Sequence, residues 1–265
     1  MATVTAPASA PARRRRSMPP WVGGLIGIVA LVVLWQLFGL SSWAKSHYIP
    51  PPTHILSKMR ADGWSFYWPN VRTTMHEALV GYIYGNVLAI GLAFLFLLLP
   101  FLERPLMRLG VASYCLPIIA IGPILVITFN GQTPKIILAA LSVFFTTLVG
   151  MLLGLRSANK TSLDVIRAFG GGAYKQVTKV RLRASLPSLF AALRIAAPAA
   201  ILGAIIGEYL GADNGLGVAM IHSEQAFEIE RTWGLALVAT LLAGVTYGIT
   251  ALVGRALTPW DERKR

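Results

Sequence analysis

Residues 166–187 read IRAFGGGAYKQVTKVRLRASLP. Most of the chain around them is apolar enough for lipid, yet here it breaks into three glycines and a run of cations before returning to Leu-Pro. Upstream, residues 160–169 read KTSLDVIRAF. Thr161 and Asp164 fit the T-x-x-D start of a helix. Leu163, Ile166 and Phe169, with Val165, fall on one face at helical spacing. Gly170, Gly171 and Gly172 then stop the helix. A second short helix is expected from Ala173, with Tyr174, Val177 and Val180 on one face and Lys175, Lys179, Arg181 and Arg183 around the rest. Pro187 permits a fresh helix start after it. Two physical readings stay open for such a pair of amphipathic helices. It can rest on an anionic leaflet, or it can form a knob that fills a groove on a soluble partner.

On either side the sequence is membrane-like. The 265 residues are 55% hydrophobic and 13% charged, against about 25% charged in soluble domains. Mean hydropathy is +0.62. Apolar stretches near 21–40, 76–99, 109–129, 134–155, 189–212 and 233–254 are each long enough to cross a hydrocarbon core of about 30 Å. Such stretches must be helical, because lipid cannot satisfy backbone polar groups. The expected fold is therefore an all-α integral membrane protein with six spans. Residues 1–20 form a disordered basic tail, 21–258 the transmembrane domain with its polar loop at 156–188, and 259–265 a short second tail. A cleaved signal peptide is the rival for the first span. WVGGLIGIVALVVLWQLFGL (21–40) exceeds the usual apolar length of such a peptide and ends in no A-x-A site.

The net charge of +13 would suggest a nucleic-acid partner in a soluble protein. Here the cations sit between spans. The first tail, 100–108, 156–188 and the chain from Arg255 onward hold 17 Lys and Arg, the alternate gaps hold six, and Arg194 lies just inside the fifth span. This asymmetry predicts both termini in the cytoplasm. On the other side, PPPTHILSKM (50–59) is expected to form an interfacial helix with Ile55, Leu56 and Met59 on one face. The lone Cys115 excludes an intrachain disulfide. His47, His54, His76 and His222 have no metal-ligand spacing. GGGAYK lacks the phosphate-loop pattern, and His76-Glu77 lacks the second histidine of a zinc motif. No cofactor, metal or catalytic residue is expected, so the chain reads as non-enzymatic by itself. Glu77 and Glu208, carboxyls within spans, are gate or path candidates by their cost alone. Gly203 and Gly207 with Ala199 and Ala200 make a small-residue face suited to close helix contact.

The loop resembles the cytoplasmic loop of ATP-binding-cassette importer permeases of the nitrate, sulfonate and taurine type, roughly E-A-A-x-x-x-G-x9-I-x-L-P. Asp164 stands at its Glu, Gly170 at its Gly, Val180 at its Ile and Leu182 at its Leu. Arg183 replaces the Pro, and Pro187 matches a second Pro found in that branch. The resemblance extends to LPIIAIGPI (Pro117, Pro123), ALRIA (Arg194), GEYLGADNGLG (Glu208, Gly215, Gly217), PPPTHIL and the Thr74 to Gly81-Tyr82 spacing. Glu77 stands where many relatives carry Arg. It implies a permease subunit, paired with a second copy as a homodimer around a central path in the lipid bilayer. Two cytosolic ATPase subunits would dock on 156–188, through Asp164, Ile166, Arg167, Phe169, Gly170, Ala173, Tyr174, Val177, Val180 and Pro187. An extracytoplasmic solute-binding protein would deliver a small organic or inorganic anion, and ATP hydrolysis would lie in the partner. Beside this stand a self-sufficient secondary transporter or channel, and a membrane assembly factor.

Overall fold

A computed structural model describes residues 20–46, 48–103, 105, 107, 108 and 118–262. The tail expected at 1–20 lies outside these residues except for its last position. The chain divides into two units, Met1–His54 and Ile55–Arg265.

In the first unit, helix Pro20–Gly39 carries apolar side chains on every side. Leu25, Ile28, Leu31 and Leu34 are all more than half exposed, as befits a helix whose solvent is lipid. At its end Gln36 and Thr53 exchange two hydrogen bonds of 3.0 and 3.2 Å. Gly39 lies so close to Pro51 that a Cβ there would be 2.7 Å from the Pro51 Cα.

The second unit is built around helix Thr133–Arg156, which packs between Trp64–Leu98 and Leu182–Tyr209. Helix Ile229–Leu257 lies against 182–209, and the short Leu216–Gln225 rests on both. Lipid gives helices no hydrophobic reason to associate, so close backbone approach must supply van der Waals contact. Three Gly-x-x-x-Gly pairs provide it. A Cβ on Gly81 or Gly85 would strike the 133–156 backbone, at 2.8 Å from the Ile136 oxygen and 2.5 Å from the Ala140 oxygen. From the other side, Gly203 and Gly207 would meet the Leu138 oxygen and the Lys135 Cα, each at 2.8 Å. Gly150 and Gly154 face Ala192 and Ser185 in turn. The expected small-residue face is thus a true contact. Between the spans, Thr147 Oγ1 donates to Asn86 Oδ1 at 2.5 Å, and Asn86 Nδ2 donates to the Tyr82 carbonyl at 2.7 Å.

Among the described residues five helices are long and apolar enough to cross a membrane. The third expected span, 109–129, is described only as Ile118–Thr128; residues 109–117, with Cys115 and Pro117, lie outside the described set. Several boundaries differ from expectation for identifiable reasons. The second span begins at Trp64 rather than 76, because hydropathy marks where lipid starts and not where the helix does. Residues 173–209 are helical without interruption through Pro187 and Pro198. Pro187 therefore starts no helix. A π-helical turn at Val177–Arg181, with Leu182 N–H donating to the Val177 carbonyl, joins the short helix to the span. In helix Pro52–Asp62, Ile55 is buried and Met59 half-buried, whereas Leu56 is exposed; the apolar face is narrower than its spacing suggested.

At the end of the bundle remote from the 156–183 loop, Arg231 grips Asp62 with two hydrogen bonds of 2.8 and 2.7 Å. Its guanidinium also lies 5.0 Å from the Phe66 ring centroid. Lys58 stands 3.5 Å from the same carboxyl. The Arg231 hydrogen bonds hold Asp62 below the usual carboxylate range. A folded-state pKa below the unfolded value stabilises above the ordinary Asp pKa of about 3.9, and that stability is lost as pH falls through the folded value. Asp62→Asn should therefore cost about 2 kcal/mol at neutral pH, the scale of a charge-assisted hydrogen-bond pair. Thermal unfolding in detergent checks this, and the gap between variant and wild type should narrow between pH 5 and pH 3 (on the order of those carboxylate values).

Candidate functional site

Two constructions stand at opposite ends of the bundle. The first is the polar loop. Helix Lys160–Ala168 is capped by Asn159, whose side chain accepts from Thr161 N–H at 2.9 Å. The cap expected at Thr161 is thus two residues earlier, because Asn159 has the extended backbone a cap needs. Asp164 pairs instead with Arg167 at 3.1 Å on the exposed side.

The glycines have separate roles. Gly170 has φ +72°, and its N–H donates to the Arg167 carbonyl at 2.9 Å while Gly171 N–H reaches the Ile166 carbonyl at 2.8 Å. These are the paired bonds of a Schellman motif, with the left-handed residue at Gly170. Gly171 is pressed onto Ile166, where a Cβ would lie 2.7 Å from the carbonyl oxygen. Gly172 opens helix Ala173–Gln176. The turn leaves Phe169 85% and Tyr174 80% exposed, while Leu163 points inward and is buried. Ile166, Val177 and Val180 are half-buried and Ala173 is exposed.

The knob is fixed to the bundle. Arg181 Nη1 donates to the Leu155 carbonyl at 3.1 Å, a cation at the C-terminal end of a helix. Ser157 Oγ reaches the carbonyls of Gly154 and Ala184 at 2.8 and 3.4 Å. Arg156 pairs with Glu103. These bonds tie the knob to 133–156 and to the helix continuous with 182–209.

The second construction surrounds Glu208. This side chain and Glu77 are each 1% exposed and adjoin one another. Thr74 Oγ1 donates to Glu208 Oε1 at 2.6 Å, and Gly217 N–H donates to Oε2 at 2.6 Å. Leu216 N–H donates to Thr74 Oγ1 at 2.9 Å. Gly215 N–H donates to Asn70 Oδ1 at 3.1 Å. The first N–H groups of helix 216–225 are thus capped by side chains from two other helices. Lys135 is 6% exposed, interacts electrostatically with both carboxyls and donates to the Gly131 carbonyl at 2.7 Å. Gly215, at φ +132°, and Gly217 leave the room that the Glu208 side chain fills.

Glu77, Glu208, Gly215 and Gly217 are thus brought together by the fold. Pro123 is exposed, inside Ile118–Thr128, and makes no hydrogen bond to the cluster among the described residues, and Pro117 lies outside the described residues. Thr74, Asn70 and Lys135 complete the cluster without having been singled out as site residues. Asn70, Thr74 and Glu77 share a helix face at i, i+4, i+7 spacing, a signal present in the sequence; Lys135 gave none.

Comparisons with known proteins bear on the family and the fold. A family model described as binding-protein-dependent transport system inner membrane component matches residues 85–260. The formylaminopyrimidine transport permease protein of Halalkalibacterium halodurans is 26% identical over 235 residues, 88% of this chain and 94% of that protein. The taurine transport system permease protein of Escherichia coli is 25% identical over 249 residues, 89% and 88% of the two. In fold, the chain is similar to a chain of the MetNI methionine ABC transporter solved in an inward-facing conformation. The TM-score is 0.61 at 18% identity, over 74% of this chain and 99% of that one. A loop knob locked to two spans, a helical membrane bundle and a family match over most of the chain lead to one conclusion: this chain belongs to the binding-protein-dependent transport system inner membrane components, the permeases of ABC importers.

Proposed function

We propose that the 156–188 loop couples a cytosolic ATPase to a path for a small organic or inorganic anion, and that two copies of this chain form the path. As a permease of its family, the chain works with ATPase and solute-binding partners. That membership favours it over a self-sufficient transporter or channel. The observation that carries the coupling reading is the exposure of Phe169 and Tyr174 on either side of a rigid glycine turn. Two large aromatics on a polar surface fit a pocketed partner better than water. Asp164 and Arg167, exposed beside them, supply polar contacts at the rim. Movement of the partner's groove would then drive 133–156 and 182–209 as rigid bodies. The taurine relative supports a sulfonate-like anion as cargo.

The test is Phe169→Ser with Tyr174→Ser. Recovery of the ATPase on the membrane-inserted permease should fall at least tenfold, and uptake should fall with it, the loss expected for two central anchors. Full recovery and uptake would assign the loop to the lipid surface instead.

The charge asymmetry supports cytoplasmic termini. With Cys115 replaced by Ser, a cysteine at position 64 should react with an impermeant thiol reagent added outside, and one at position 264 should not. External labelling at 264 would reverse the orientation.

A further inference from the structure

We propose that a cleft between helices 182–209 and 229–257 is a binding site for an oxyanion, held by Arg194. The cleft encloses about 340 Å³ and is lined by Arg194, Tyr247, Thr250, Arg255 and Thr258 among smaller and apolar residues. The described residues that line it include two arginines and neither Asp nor Glu.

Arg194 lies twelve residues into the 182–209 helix, about 18 Å from its start at 1.5 Å per residue. Its Nε is buried and has no hydrogen-bond partner among the described residues, and no ion pair involves it there. A cation on a membrane-crossing helix ordinarily faces a partner or a water-filled cavity. Among the described residues that line the cleft no Asp or Glu faces it. The Thr250 and Thr258 hydroxyls donate to the Thr246 and Gly254 carbonyls at 2.8 and 2.7 Å; their oxygens can still accept but carry no charge to balance a guanidinium. What remains is a planar fork of donors in a cleft that Tyr247 also lines, with a second cation, the exposed Arg255, at its wall. A fork of this kind matches two oxygens of a phosphate, sulfonate or carboxylate.

That chemistry has two sources, the phosphate of a lipid headgroup and the acid group of a transported solute. The site rests on the geometry alone; its assignment to solute rests on the transport reading. The experiment uses the full chain purified in detergent. Retention of phosphatidylglycerol is read by native mass spectrometry, and binding of radiolabelled ethanesulfonate by equilibrium dialysis. Wild type should hold one of the two probes, Arg194→Gln should bind it at least tenfold more weakly, and Arg194→Lys should fall between the two, since charge is kept and the fork lost. Retained lipid identifies a headgroup site; retained ethanesulfonate identifies a solute site. Tyr247→Phe should weaken the same probe two- to fivefold, about the loss of one hydrogen bond, and it carries the test if Arg194→Gln does not fold. Binding of neither probe, or equal binding by wild type and these variants, overturns the proposal. Absence of binding-protein-stimulated ATP hydrolysis in the assembled importer would overturn the transport reading and leave the anion measurement standing.

Discussion

Glu208→Ala is expected to release helix 216–225 from the bundle and to destabilise the protein by about 3–5 kcal/mol, the scale for removing one partner from a buried charged network. The side chain ends two buried hydrogen bonds, from Thr74 and from Gly217 N–H. Its removal leaves an N–H and a hydroxyl without an acceptor beside Glu77, whose Oε2 already has no partner among the described residues. Gly217→Val should reach a similar cost by the opposite route. A Cβ there would lie 2.7 Å from the Ile205 carbonyl oxygen and 2.9 Å from the Glu208 Cβ, and backbone cannot move aside as a side chain can. Glu208→Gln separates architecture from function. Its amide can accept from one donor but confronts the other with an N–H, so about 1–2 kcal/mol is lost. The variant should insert and assemble while its uptake changes. Thermal unfolding in detergent, read beside uptake, orders the three variants. If Glu208→Ala unfolds with wild type, the clamp contributes nothing to stability.

This cluster marks the limit of what the sequence alone conveyed. Glu208 was noticeable because a carboxyl in an apolar run is costly. Its hydrogen bond to Thr74 spans 134 residues, and no local pattern encodes a contact of that length. Lys135 counts in the sequence only as one of the six cations of the alternate gaps, yet it is buried beside two acids. By contrast, Gly203 and Gly207 were legible because close packing imposes a four-residue repeat along one helix face. Their counterparts at Gly81/Gly85 and Gly150/Gly154 obey the same rule. The helix through Pro187 was misread for a different reason. Proline removes a backbone donor and so resembles a start, but a membrane helix tolerates the loss where neighbouring groups replace it. Hydropathy likewise placed the second span's lipid-facing part and missed the turns from Trp64 to Met75, which are helical but polar.

Gly170→Val should leave the spans intact and uncouple the knob. Nothing lies within 4 Å of the position a Cβ would occupy at Gly170, so space is not the constraint. The constraint is φ +72°. An ordinary residue there loses about 1–2 kcal/mol, and a β-branched one more. The Schellman bonds from Gly170 and Gly171 close the end of helix 160–168 and set the direction in which the chain leaves it toward helix 173–176. If φ turns negative those bonds break, and Phe169 and Tyr174 no longer enter one groove together. ATPase recovery should fall with a coupling loss of about 1–3 kcal/mol, the scale of an interface anchor. Asparagine tolerates left-handed backbone better than other non-glycine residues, so Gly170→Asn should retain more coupling than Gly170→Ala, and Gly170→Val least of all. At Gly171 the order should differ, because there the obstacle is the Ile166 carbonyl; asparagine should be no better than alanine. Arg183, on a continuous helix with no special backbone requirement, should accept alanine with little effect on docking. Pull-down of the ATPase across this series, beside uptake, separates the two mechanisms. Equal recovery with Asn, Ala and Val at position 170 would show that the left-handed turn does not orient the knob.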